Sequence, residues 1–179
     1  MAVTGDSVLA QKMRLLKGQG MDPTRRYWFP MVGYNYRMTN IAAAIGLAQL
    51  EKADWHITRR REIAQLYEKR LENLPGVTMQ PELSWARCVY WMTSIVLDQG
   101  LSISRDEVMR RLAGEGIETR PFFYPMHSLP MYRSVSDKRT YPVAERVSAQ
   151  GLNLPSYAQL IPDDIAYVCD CLTRILSQG

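Results

Sequence analysis

Residues 33–50 read GYNYRMTNIAAAIGLAQL, so that two tyrosines, an asparagine and an arginine precede a long alanine-rich apolar run. Thr39 or Asn40 offers the side-chain oxygen that caps the first turn of a helix. Apolar residues then recur at three- and four-residue spacing until Pro75 interrupts the pattern. The spacing predicts one helix over 40–74, roughly 50 Å long, which could bridge two domains or two subunits.

A shorter helix is predicted before this stretch. Asp6 can cap a helix that runs to about Lys17 and stops at Gly18. The residues between Gly18 and Asn40 follow neither a helical nor a strand period. A loop of this length inside a compact chain is usually functional or packed against a partner.

Beyond Pro75 the pattern changes to that of a βαβ-type α+β unit of roughly a hundred residues, which is large enough for its own core. Residues 88–97, CVYWMTSIVL, are rich in β-branched and aromatic side chains and predict a strand. Ser104 and Glu107 have the spacing of a capping box, which predicts a helix through Leu112. Further predicted elements are a short strand at 117–121, a helix over 143–150 and a last helix that begins at Pro162.

The composition is that of an ordinary globular protein, with 179 residues, 46% hydrophobic and 22% charged. No run approaches eighteen apolar residues and the first residues lack a signal-peptide pattern, so we expect a cytoplasmic protein without a membrane span. Three cysteines are too few for a disulfide framework. A net charge of +4 is too mild to indicate a nucleic-acid partner.

Residues that usually mark catalytic or metal sites are scarce. The sequence contains only two histidines, His56 and His127, and no common nucleophile, zinc or nucleotide motif. Cys169 and Cys171 lie two apart in a helical pattern and therefore face different sides, which argues against zinc. No metal is expected.

Polar aromatic residues concentrate in two loops, 22–40 and 121–141. In the first loop Asn35 offers an amide donor and Arg37 a fork of donors that suits phosphate, next to the partial positive charge of a helix start. This combination suits a ligand that is partly flat or sugar-like and partly anionic. The alternative is that Tyr34 and Tyr36 are packing residues and Arg37 is a structural hydrogen-bond donor.

The stretch RLLKGQGMDPTRRYWFPMVGYNYRMTNIAAAIGLAQLEK, residues 14–52, closely resembles the segment after the catalytic lysine in the DegT/DnrJ/EryC1/StrS aminotransferases, especially their perosamine-synthase-like branch. ETRPFFYPMH and GLNLPSY continue the resemblance, which covers essentially the whole chain. It implies an α+β fold, the C-terminal part of a fold type I aminotransferase. Residues 1–39 would be a remnant of the large cofactor-binding domain, 40–74 the connecting helix and 75–179 the small domain.

The resemblance also implies roles for individual residues. The asparagine that matches Asn35 holds the phosphate of pyridoxal 5'-phosphate in the neighbouring subunit of a homodimer, and Arg37 would lie in the same anion-binding environment. The tyrosines around Asn35 would wall the pocket, the Arg25–Tyr27 segment would approach the substrate's phosphates, and the loop with His127 would cover the sugar. The substrate-binding candidates are therefore Arg25, Arg26, Tyr27, Tyr34, Tyr36 and His127.

The Schiff-base lysine of the family lies in a segment before the first residue of this chain, so no catalytic residue is expected within it. None of the five lysines matches the family's position; they are Lys12, Lys17, Lys52, Lys69 and Lys138. We therefore expect a C-terminal half, as a truncation, an engineered piece or one part of a split enzyme. Apolar residues left uncovered in 1–74 would then favour self-association.

Three functions remain open from the sequence. The first is a portion of a pyridoxal-phosphate-dependent transaminase that moves an amino group from an amino acid, with glutamate as the expected donor, to a nucleotide-linked keto-deoxy sugar for polysaccharide or sugar-antibiotic biosynthesis. The second is a non-catalytic scaffold or dimerisation module that has lost this chemistry. The third, a basic nucleic-acid binder, depends only on charge and arginine doublets.

Overall fold

The computed structural model describes residues 2–132 and 139–178, and Lys138 and the rest of 133–138 lie outside the described residues. The chain divides into two compact units, Met1–Lys52 and Ala53–Gly179. No helix among the described residues is both long and apolar enough to cross a membrane. The assignment of 1–39, 40–74 and 75–179 to family domains stays a prediction.

Two helices form the first unit, and both begin where the sequence predicts. Helix α1 spans Ser7–Lys17, and the Asp6 carboxylate accepts hydrogen bonds from two backbone N–H groups of its first turn at 2.8 and 3.1 Å. Helix α2 spans Asn40–Leu50, and the Thr39 hydroxyl accepts from the third residue of the helix at 3.2 Å. Short polar side chains at the predicted caps therefore define both starts.

The single helix predicted over 40–74 is wrong. Helix α2 is followed by a turn at residues 51 and 52, and helix α3 then spans Ala53–Leu71. The Lys52 N–H bonds to the Gln49 carbonyl three residues back instead of four, which tightens the backbone at this point. Since neither glycine nor proline occurs there, the sequence carries no signal for the interruption.

The second unit contains a four-stranded sheet with strand order β1-β2-β4-β3, in which each neighbouring pair is antiparallel. Helix α4 connects β2 to β3, and β4 lies between these two strands, so the predicted βαβ unit is present in its split form. The strands are β1 Val77–Met79, β2 Thr93–Leu97, β3 Arg120–Pro121 and β4 Gly151–Leu154, and the remaining helices are α4 Arg105–Gly114, α5 Pro142–Gln150 and α6 Pro162–Ser177.

The strand predicted over 88–97 is too long, because only its second half is extended. Tyr90 has a φ of 44°, which is incompatible with a strand. The Cys88 carbonyl accepts a hydrogen bond from the Arg61 guanidinium at 2.6 Å instead of joining a ladder. The strand predicted at 117–121 likewise shrinks to the two residues of β3.

The described residues of this second unit form one hydrophobic core, where α3 and α4 both pack against α6 beside the sheet. Alternate residues of β2 are buried, as expected for a strand with one face on a core. Burial raises the pKa of the Cys169 thiol to about 12. Core residues include Ile63, Tyr67, Leu71, Ile95, Leu112, Leu152, Ile165, Leu172 and Ile175.

Candidate functional site

A close crossing of two backbone segments holds the GYNYR stretch at the end of α1. A Cβ atom on Gly33 would lie 2.1 Å from the Gly20 nitrogen, and Gly20 itself has a φ of +74°, so both positions require glycine. Beyond the crossing, the Tyr34 N–H donates to the Leu16 carbonyl at 2.6 Å and the Tyr36 N–H donates to the Lys17 carbonyl at 3.0 Å. The last carbonyls of α1 thus position the tyrosines and Asn35.

The side chains of this stretch are exposed and ordered relative to one another. Tyr34 and Tyr36 stack with ring centroids 5.5 Å apart and an interplanar angle of 13°. Asn35, between them, accepts a long hydrogen bond of 3.4 Å from the Arg37 backbone N–H through its Oδ1 atom. The Asn35 side-chain N–H₂ group makes no hydrogen bond to the part of the chain that the structure describes, and it is available to a ligand.

The first half of the first loop is organised around Asp22. Its Oδ1 atom accepts hydrogen bonds from the Thr24 hydroxyl and N–H and from the Arg25 N–H, at 2.7 to 2.9 Å. The bond from the Thr24 hydroxyl is the main cause of the lowered pKa of Asp22. Arg25 lies over the Trp28 ring at 4.2 Å, and Arg26 lies over the Tyr27 ring at 4.8 Å.

A cavity of about 800 Å³ lies within this first unit and collects charged residues from three segments. Arg14 comes from α1, Asp22 and Arg26 come from the loop, and Arg37 comes from the end of the GYNYR stretch. The structure thus brings the predicted Arg26 and Arg37 to one cavity and adds Arg14. Arg14 was not among the predicted site residues, and its position one turn before the helix-ending Gly18 is the only signal that the sequence offers for it.

His127 is held by a different set of contacts, in the unit Ala53–Gly179. It lies in a 3₁₀ turn, with its Nε2 atom 2.9 Å from the Glu145 carboxylate and its ring against Tyr141. The hydrogen bond from the Tyr141 N–H is the main cause of the lowered pKa of Glu145, and the hydrogen bond with His127 is the second cause. The structure therefore gives His127 an acidic partner, and its predicted role over the sugar stays a prediction.

Consecutive arginines of α3 hold two loops of the second unit in place. Arg59 donates to the Ala158 and Leu160 carbonyls, and Arg60 donates to those of Trp91 and Ser156. Such bonds to neutral carbonyls fix loop positions.

The third of these arginines makes a different contact. Arg61 pairs with Glu82 through two nitrogen–oxygen contacts of 2.7 and 2.9 Å, and these bonds lower the pKa of Glu82 to about 2. The three-residue arginine run at 59–61 therefore has a structural role.

Two further cavities of about 590 and 550 Å³ lie in the second unit. The larger is lined in part by Arg60, Arg120 and Asp164, and the smaller is mainly apolar, with Tyr90 and Phe122 among its residues. None of the sequence-predicted site residues lines either cavity, nor does any of the four lysines that the structure describes.

The donor groups of the first unit suit the phosphate end of pyridoxal 5'-phosphate. An unpaired amide from Asn35 and the guanidinium of Arg37 are typical phosphate ligands, and stacked tyrosines provide an apolar wall beside them. None of the four described lysines lines the cavity at Arg37, so this cavity offers no described lysine for the aldehyde end. Among the described residues no cluster suits a metal ion. The fit is therefore to the phosphate end.

Comparison with known proteins shows that residues 1–173 match the DegT/DnrJ/EryC1/StrS aminotransferase family. GDP-perosamine synthase from Caulobacter vibrioides is 48% identical over 177 residues, which are 98% of this chain and 47% of that protein. GDP-perosamine synthase from Escherichia coli O157:H7 is 44% identical, covering 99% of this chain and 47% of its own length. The chain spans about half the length of the curated relatives it matches.

Solved structures agree with this result. DesI, determined in the presence of its TDP-sugar product, is 32% identical with a TM-score of 0.86, covering 99% of this chain and 45% of that one. Helicobacter pylori PseC, an aminotransferase involved in the biosynthesis of pseudoaminic acid, is 23% identical with a TM-score of 0.89 and shows the same fold over 99% of this chain and 48% of its own. The predicted α+β fold, as part of a fold type I aminotransferase, is confirmed.

Proposed function

This chain belongs to the DegT/DnrJ/EryC1/StrS aminotransferase family, and we propose that it is a portion of a pyridoxal-phosphate-dependent enzyme that transfers an amino group from an amino acid, glutamate, to a nucleotide-linked 4-keto-6-deoxy sugar. The observation that carries the proposal is the ordered GYNYR stretch, which presents Asn35 and Arg37 beside a cationic cavity. Relatives named GDP-perosamine synthase, 42 to 48% identical, support guanosine diphosphate as the nucleotide.

When bound, pyridoxal phosphate supplies the electron sink and carries the amino group between the two substrates. Within this chain the Asn35 amide and the Arg37 guanidinium bind the cofactor phosphate, because both present N–H donors to an anion. Tyr34 and Tyr36 form a paired wall that excludes water from one side of the site. Binding and orientation, rather than proton transfer, are the contributions of these residues.

The substrate is bound by the loop before them. Arg25, Arg26 and Tyr27 approach the diphosphate of the nucleotide sugar, where guanidinium forks match phosphate oxygens. His127, oriented by Glu145 through the 2.9 Å contact, covers the sugar. The lysine needed for the chemistry comes from outside this chain. A homodimer in which each subunit completes the other's site is part of the proposal, as is a cytoplasmic location.

A hybrid enzyme tests the proposed function. The part of the Caulobacter GDP-perosamine synthase outside the match is joined to this chain, and amino transfer from glutamate to a GDP-linked 4-keto-6-deoxy sugar is measured. We expect transfer with the GDP sugar and weaker transfer with its dTDP counterpart. A folded hybrid that retains pyridoxal phosphate and transfers no amino group to either sugar would overturn the proposal.

Asn35→Ala in the hybrid tests the assignment of the phosphate ligand. Loss of one charge-assisted hydrogen bond should weaken cofactor retention by about tenfold or more while the oligomeric state stays unchanged. Asn73→Ala, at an exposed asparagine after α3, is the matched control. Equal retention in the two variants would remove Asn35 from the site.

A non-catalytic scaffold or dimerisation module is the second candidate, and it is favoured by the lack of a described lysine at the cavities and by the exposed apolar side chains of α2. Incubation of the chain with pyridoxal phosphate, reduction with borohydride and peptide mapping test whether the chain holds the cofactor covalently by itself. We expect no stoichiometric adduct at one lysine. A single such adduct would contradict the view that the reactive lysine comes from outside the chain.

A further inference from the structure

Arg14 of α1 is brought to the same cavity as Arg26 and Arg37, although the three residues are far apart in the sequence. Arg37 lies against the end of α1, because a Cβ atom added to Gly18 would lie 3.4 Å from one of its terminal nitrogens. The end of α1, which carries Arg14, and the GYNYR stretch are joined by backbone hydrogen bonds, so these two arginines are held by fixed elements.

The three guanidinium groups have no anionic partner within the described residues. None of them takes part in an ion pair of 4.0 Å or less or donates a side-chain hydrogen bond there, in contrast to Arg61 and Arg111 of the other unit, which pair with carboxylates. Like charges around one cavity repel each other, and the repulsion is relieved when an anion enters. An arrangement of this kind is typical of a phosphate site rather than of a structural network.

Asp22 also lines the cavity, and its single negative charge offsets only one of the three guanidinium charges. Its Oδ1 atom accepts three hydrogen bonds from Thr24 and Arg25, and these bonds close the turn immediately before Arg26. The carboxylate therefore organises the loop, and the cavity keeps three guanidinium groups against one carboxylate. A volume of about 800 Å³ admits a phosphate or diphosphate group together with part of the molecule that carries it.

We propose that Arg14, Arg26 and Arg37 form one phosphate-binding site within the first unit, and that Arg14 is a binding residue of this site. The ligand chemistry is a phosphate ester, either the monoester of the cofactor or the diphosphate of the nucleotide sugar. The choice of the cofactor or the nucleotide sugar as the ligand rests on the proposed function. The existence of an anion site rests only on the three arginines. Arg14 would bind the anion from the helix side, opposite the loop that carries Arg26.

Isothermal titration of the 179-residue chain tests the site with pyrophosphate, GDP, pyridoxamine 5'-phosphate and guanosine as probes. Arg14→Gln is compared with Arg146→Gln, which replaces an exposed arginine of α5. Both variants remove one positive charge. We expect pyrophosphate to bind the control with unchanged affinity and to bind Arg14→Gln about tenfold more weakly. Arg14→Lys should restore only part of the affinity, because it keeps the charge and loses the fork.

The sources are distinguished by the other probes. GDP binding that is weakened by Arg14→Gln, without an effect on pyridoxamine 5'-phosphate, assigns the site to the nucleotide, and the reverse pattern assigns it to the cofactor. Equal pyrophosphate affinity in Arg14→Gln and Arg146→Gln, or equal binding of guanosine and GDP to the unaltered chain, would overturn the site.

Failure of the proposed function can be distinguished from failure of the anion site. If the hybrid enzyme transfers no amino group while pyrophosphate binding still depends on Arg14, the anion site stands and the aminotransferase assignment falls. Circular dichroism of both variants shows that α1 is intact; since the Arg14 side chain is exposed and makes no described hydrogen bond, no loss of helix is expected.

Discussion

The two compact units of this chain differ in how many side chains they bury and in what holds their backbones in place. Ala53–Gly179 has a continuous core in which large apolar side chains are fully buried, whereas the helices of Met1–Lys52 have no buried residues among those described. Ile41, Ile45 and Leu50 of α2 are all more than 60% exposed. The first unit is instead specified by backbone crossings, helix caps and a closed turn.

This difference indicates that stability comes mainly from Ala53–Gly179, whereas the groups suited to a ligand lie in Met1–Lys52. Packing contributes most of the free energy of unfolding of a small domain, so Ala53–Gly179 has the means to fold by itself. Met1–Lys52 presents unpaired arginines, an asparagine amide and apolar side chains to its surroundings, which are the features of a surface completed by a partner or a ligand. The following substitutions test this division, from the largest expected effect to the smallest.

Leu172→Ala should have the largest effect, because Leu172 is fully buried in the core of the second unit. Loss of its side chain should lower the free energy of unfolding by about 2–5 kcal/mol. Leu50→Ala, at an exposed residue of the first unit, should change it by less than about 0.5 kcal/mol. Urea unfolding followed by circular dichroism measures both, and a comparable loss at Leu50 would mean that α2 is buried in solution.

Gly33→Ala should disrupt the first unit without unfolding the second. The new Cβ atom would lie 2.1 Å from the Gly20 nitrogen, which forces the two backbone segments apart at a local cost of about 1–3 kcal/mol. Hydrogen exchange at the Tyr34 amide should become faster. Gly46→Ala is the control, since nothing lies within 4 Å of its added Cβ and the α2 helix should gain about 0.5–1 kcal/mol. Unchanged protection at Tyr34 in Gly33→Ala would contradict the crossing.

Tyr67→Phe tests a polar contact at the edge of the core. The Tyr67 hydroxyl donates to the Pro155 carbonyl at 3.0 Å, and burial raises the pKa of this tyrosine. Its removal should cost about 1 kcal/mol, because the carbonyl loses its partner. Tyr167→Phe removes a similar bond to the Glu115 carbonyl at an exposed position and should cost less. Equal losses in the free energy of unfolding of the two variants would contradict the prediction that the buried hydrogen bond contributes more than the exposed one.

Glu82→Gln should change the acid dependence of stability in the second unit. Hydrogen bonds from Arg61 lower the folded-state pKa of Glu82 from 4.5 to about 2, so its contribution is present above pH 4.5 and is lost as the pH falls towards 2. Unfolding midpoints between about pH 2 and 6 should therefore fall less steeply in Glu82→Gln than in the unaltered chain. Glu62→Gln, at the exposed partner of Arg59, should follow the unaltered chain, and the same slope in all three proteins would contradict the assignment.

Parts of this architecture could be predicted because single side chains determine them. Asp6 and Ser104 cap helices through local hydrogen bonds, and a short polar residue before an apolar period is visible in the sequence. Only half of the predicted capping box formed, since the Glu107 carboxylate pairs with Arg110 and Arg111 instead of reaching back to the cap.

Other features depend on tertiary contacts that no local pattern reports. The loss of strand structure before Thr93 follows from the positive φ of Tyr90 and from the Arg61 contact, which joins residues that are 27 positions apart. Asn35 and Arg37 were identified from their donor chemistry and from resemblance to a family. Arg14 required the fold, because it reaches the cavity only through the pairing of α1 with the GYNYR stretch.

Hydrogen exchange of the 179-residue chain, followed by mass spectrometry with and without GDP or pyridoxamine 5'-phosphate, tests the division between the two units most directly. We predict that at least one of these ligands slows exchange in residues 14–37, where the three arginines and Asn35 lie, and leaves Ala53–Gly179 unchanged. Protection confined to residues 88–92 or 153–157, which line the cavities of the second unit, would contradict this division and move the phosphate chemistry there.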